Sequence, residues 1–114
     1  MESRLTLSEL VRMVSVRLTR DDWSHVHNAV GRVPLSRFPH PLSVERAWCE
    51  IGRTLNATPP GALAVTVTAP LGHLLAFSEA ASDGALRRTR PLEWQAARLL
   101  AQRVNALLPE GAGP

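Results

Sequence analysis

Leu63-Ala64-Val65-Thr66-Val67-Thr68-Ala69-Pro70-Leu71-Gly72-His73-Leu74-Leu75-Ala76-Phe77 is the stretch on which the fold turns. Its first half alternates Val with Thr, residues that suit a pleated, half-buried strand. Ala69-Pro70-Leu71-Gly72 then supplies turn chemistry before a second apolar run, which describes a β-hairpin over about 63–77. The same letters admit a helix capped by Thr68, with Pro70 in its first turn, Leu71, Leu74 and Leu75 inward, and Gly84 as its stop. Period alone does not separate the two in so short a run. The hairpin is the expectation adopted; an all-α bundle is the alternative.

Upstream, Ser43 is placed to cap a helix in which Val44, Ala47, Trp48, Ile51 and Leu55 share one face. Glu45, Arg46, Glu50 and Arg53 lie on the other, and Asn56 ends it before Pro59-Pro60-Gly61. Thr19-Arg20-Asp21-Asp22 starts another helix, with Trp23, Val26 and Val30 on its apolar face and Gly31 and Pro34 as its stop. The stretch 34–41 holds three prolines and reads as an irregular connection. Nearest the N-terminus, Thr6-Leu7-Ser8-Glu9 is a capping box, and Leu7, Leu10, Val11, Val14 and Leu18 recur at the spacing of one helical face.

Downstream, Pro91 suits a first helical position and Glu93 a first turn, after which Leu92, Ala96, Leu99, Leu100, Val104 and Leu107 keep helical spacing. The expected fold is therefore mainly α, of α+β class: three amphipathic helices, a hairpin and a closing helix. Residues 1–108 form one domain and 109–114 a disordered tail.

Composition narrows the function. All 13 basic residues are Arg, yet the net charge is only +3, so the basic field is modest. A single cysteine, Cys49, excludes an internal disulfide and fits a reducing, cytoplasmic setting. No Asp, Glu, Lys or Arg occurs from Thr54 to Ser78, but Pro59, Pro60, Gly61, Pro70 and Gly72 break the run and Thr66, Thr68 and His73 dilute it, which rules out a membrane span there. That run is either the most buried part of the fold or an interface.

Catalytic chemistry finds no centre. His25 and His27 point apart on a helix, and His40, Cys49 and His73 show no metal-ligand spacing, so neither a metal nor a cofactor is expected. Cys49 has no base beside it in sequence and reads as a small packing residue, Asp21-Asp22 is explained by capping, and no glycine-rich phosphate loop is present. Trp23 and Trp48 fall on apolar faces and read as core anchors.

Two surfaces invite a partner. Arg87, Arg88 and Arg90 precede the Pro91 helix, where backbone amides and guanidinium groups favour phosphate or another anion. Trp94 lies on a face that continues through Arg98, Gln102 and Asn105. With Val67 and Leu75 of the uncharged run, it is a candidate interface. A regulatory protein-interaction domain, self-associating or bound to a protein partner, is the first expectation. The second is nucleic acid: three helices, a hairpin and a closing helix form an order similar to winged-helix DNA-binding proteins. Against it, the third helix balances two Glu with two Arg and the turn of the wing has no basic residue.

Overall fold

The computed structural model of the protein describes residues 5–85 and 88–109. At its N-terminus the capping box forms as spelled: Thr6 Oγ1 accepts from the Glu9 amide at 3.2 Å, and the Glu9 carboxylate accepts from the Thr6 amide at 2.9 Å. The helix it starts, α1 (Leu7–Leu10), lasts a single turn. From Met13 the chain is a strand, β1 (Met13–Thr19), with Val14, Val16 and Leu18 buried and the residues between them exposed. The expectation that Val14 and Leu18 extend a helical face is corrected here. A separation of four residues fits both periods, whereas Val16 between them fits only a period of two. β-branched Val14 and Val16 also favour the strand.

The strand expected at the start of 63–77 is present as β2 (Ala64–Pro70), burying Val65, Val67 and Ala69. It pairs antiparallel with β1, Val16 opposite Val67 and Arg17 opposite Thr66. The second arm expected over 73–77 is corrected: it belongs to a helix, α4 (Leu71–Gly84), which bonds back to the sheet through the Leu71 amide and the Arg12 carbonyl at 2.9 Å. β1 already supplies the apolar alternation that β2 needs. After Pro70, Leu71, Leu74, Phe77 and Ala81 recur at helical spacing and all are buried. The class expected from the sequence, mainly α with a small antiparallel sheet, stands.

The other helices follow their stop and start signals. α2 (Arg20–Gly31) is capped by Thr19, whose Oγ1 accepts from the Asp22 amide at 3.0 Å. α3 (Pro41–Ala57) starts three residues earlier than a cap at Ser43 implies, with His40 at the cap position, Pro41 in its first turn and no side-chain cap. α5 (Pro91–Asn105) also begins at a proline, as expected. α4 packs between α3 and α5, and α2 lies against both of those. This arrangement makes α4 a core helix, which explains why its exposed polar face is narrowed to Glu79 and Asp83.

Trp23 is fully buried, and its Nε1 donates to the Val65 carbonyl at 2.9 Å, tying α2 to β2. The Arg20 guanidinium donates to the carbonyls of Thr58 and Pro59 at 3.0 and 2.7 Å, fixing the connection from α3 to β2. Among the described residues no helix is long and apolar enough to cross a membrane. The tail expected to be disordered lies outside the described residues from 110 onward.

Candidate interaction surface

The arginine cluster comes first because charge selected it. Arg88 and Arg90 are exposed; Arg87 lies outside the described residues. The start of α5, however, already holds an anion. Glu93 is 9 % exposed, and its carboxylate accepts from both terminal nitrogens of Arg32, Nη1 at 2.8 Å. Those hydrogen bonds hold the Glu93 carboxyl below its ordinary value against the opposing effect of burial, with help from the charges of Arg32, Arg90 and His25. The first turn of α5, where a phosphate was expected, thus already carries an internal carboxylate, paired with Arg32.

Of the expected interface residues, two meet. Leu75 and Trp94 are half-buried and line one shallow groove between α4 and α5, together with Glu79 and Asp83. Val67 is not with them. Its exposure is 0 %, so it packs inside the chain and offers nothing to a partner as folded. Its place in the strand period, two residues from Val65 and from Ala69, sends it to the inner face.

The face of α2 and α3 carries the histidine, tryptophan and cysteine that the sequence put in question. The rings of His27 and Trp48 stack at 4.2 Å between centroids, 12° from parallel. Trp48 Nε1 donates to the His27 carbonyl at 2.9 Å and His27 Nε2 to the Trp48 carbonyl at 3.2 Å. Burial pushes the His27 pKa down, in part offset by that last bond. His27 is therefore a packing residue. Trp48, expected in the core, is only half-buried, because its ring lies over His27 rather than beneath α3. Cys49, expected as a small packing residue, is exposed. Among the described residues no three His, Cys, Asp or Glu side chains converge as a metal set.

A feature the sequence did not single out is the free edge of β2. The Arg20 amide donates to Leu63 O and the Leu71 amide to Arg12 O, both at 2.9 Å, which fixes the phase of the ladder. Even-numbered residues of β1 and odd-numbered residues of β2 bond to each other. The amides and carbonyls of Ala64, Thr66 and Thr68 therefore point away from β1. They meet no partner among the described residues.

Alongside runs an open groove. α3 forms one wall with Glu45, Arg46, Cys49, Glu50 and Arg53; Thr68, Ala69 and Pro70 form the other. Met13 and Leu42, each more than half exposed, close its end, and Leu63 at the start of the strand is 86 % exposed. The signal in the sequence was the pairing of two alternating segments, 13–19 and 64–70, with no third to cover the edge of either. No family model, no curated protein and no solved structure matches this chain.

Proposed function

We propose that the chain is a non-catalytic, regulatory protein-interaction domain that self-associates. The observation that carries this reading is the β2 edge: a strand with no charged residue, its outward amides unpaired, beside exposed Met13, Leu42 and Leu63. An open strand edge is a template for another chain, and proteins that must stay monomeric guard it with charge, proline or a covering element. Pro70 ends β2 but nothing guards 64–68. Nucleic acid remains second: with 73–77 in α4 there is no wing, and Glu93 answers the helix start beside Arg88 and Arg90. The test is sedimentation velocity and thermal melting from low to high micromolar concentration. Mass and melting temperature should both rise with concentration, as they do when association stabilises the folded state. One monomeric species throughout overturns self-association.

A further inference from the structure

The groove between α4 and α5, the Arg88 and Arg90 surface and the β2 edge are three places among the described residues that are open to a partner. The β2 edge constrains the identity of its occupant. We infer that a second copy of this chain pairs there, β2 against β2 and antiparallel, with the two Thr66 residues facing each other, so that the sheet continues across both copies in the order β1-β2-β2-β1. This inference rests on the self-association proposed above and gives it a surface and a register.

The register follows from which groups are free. The outward-facing residues Ala64, Thr66 and Thr68 are symmetric about Thr66, and Pro70, the next in phase, has no amide to donate. Centring on Thr66 sets each Ala64 opposite the second copy's Thr68, and every outward amide and carbonyl of the three finds a mate. On the inner face the same register places Val65 opposite the second copy's Val67. It also brings Leu63 opposite the second copy's Ala69, at the groove where Met13 and Leu42 are exposed. The most exposed large apolar side chain of the described residues thus arrives at an apolar rim.

Charge agrees with this occupant. The strand entering the groove belongs to a run without Asp, Glu, Lys or Arg, Thr54 to Ser78. The α3 wall carries two Glu and two Arg and so selects neither an acidic nor a basic peptide. Acid and base alternate along it. Glu50 and Arg53 already pair with each other, Arg53 Nη2 donating to Glu50 Oε1 at 2.5 Å, which leaves the wall close to neutral. The other edge of the sheet is a poorer template: Arg17 stands in the middle of β1, and Arg12 Nη2 donates to the Leu107 carbonyl at 3.0 Å, holding the end of the helical layer against the start of that strand.

Three full-length variants test the pairing. Thr66→Pro removes an amide that the β1 ladder does not use, in a position where an edge strand tolerates proline. Leu63→Asp places a charge on a side chain that is 86 % exposed, so the fold of the single copy has no reason to change. Each should raise the dimer dissociation constant by about tenfold or more in sedimentation. In a Cys49→Ser background, Thr66→Cys should form a disulfide-linked dimer under mild oxidation, since directly opposed residues of a hydrogen-bonded pair lie about 5.5 Å apart between Cα atoms, within disulfide range. If Thr66→Pro fails to fold, Leu63→Asp and the cross-link decide. A wild-type dimer that persists in Leu63→Asp and does not cross-link through position 66 overturns the β2 pairing and leaves self-association through another face. A wild type that is monomeric at every concentration overturns both.

Discussion

Gly84 closes α4 where its backbone meets α2, and an added Cβ there sits 2.6 Å from the Ala29 carbonyl oxygen. Real side chains do not approach backbone so closely, so Gly84→Ala must push the two helices apart and should destabilise by about 1–3 kcal/mol in a denaturant melt. The tryptophans differ in the same measurement. Trp23→Ala removes a fully buried ring and its bond to Val65, and should cost about 3–5 kcal/mol. Trp48→Ala removes a half-buried ring that stacks on His27 and should cost less, about 2–3 kcal/mol. Equal losses for the two contradict the burial described above.

Titration acts at this scale too. His27 and His73 both titrate below their ordinary value because burial disfavours the cation, Arg46 adding to the effect at His73. The unfolded chain therefore takes up protons first, and stability is lost as pH falls below about 6.5. Glu93 adds a second, more acidic loss: its depressed value means that the stabilisation by Arg32 is complete above about pH 4.3 and disappears as pH falls through the folded pKa. Melting temperature should decline from pH 7 to 5, with a smaller decline in His27→Gln, and the loss below pH 5 should shrink in Glu93→Gln. A flat profile contradicts both assignments.

At the scale of elements, start signals were legible in the sequence and partners were not. Thr19 and the capping box at Thr6 act as the letters state, and Pro91 opens its helix. Thr19→Ala should accordingly cost about 1 kcal/mol, the usual worth of an N-cap, measured by chemical denaturation. Periodicity failed where two periods share positions: Val14 and Leu18 belong to a helix face or a strand face until Val16 decides. It failed again at 71–84, where burial on most sides narrows the polar face by which an amphipathic helix is recognised to Glu79 and Asp83. The identity of the strand that pairs with 64–70 depends on a contact across some fifty residues, which no local window contains. The interaction surface shares that origin, since a free edge exists only once β1 has taken the opposite one. Trp94 was nameable from its own helix face; of the two residues chosen from the uncharged run, Leu75 lines a groove with it, whereas Val67 is covered by its own fold.

For the whole molecule, the sheet is the layer on which the proposed self-association depends. Helices α2, α3, α4 and α5 cover its inner face and bury Val14, Val16, Leu18, Val65 and Val67, while its outer face carries Ser15, Arg17, Thr66 and Thr68, with Ser15 and Thr68 hydroxyls 2.8 Å apart. Apart from Met13 at its end that outer face is polar, so the proposed pairing is lateral, by main-chain hydrogen bonds, and Arg17 on each β1 edge would end it at two copies. The most direct measurement is amide hydrogen exchange across β2 at low and high protein concentration. Val65 and Val67, bonded to β1, should be protected at both concentrations. Thr66 should exchange freely when dilute and become protected when concentrated. A Thr66 amide that exchanges as fast at millimolar concentration as at low micromolar, beside protected Val65 and Val67, contradicts the pairing of two copies through this edge.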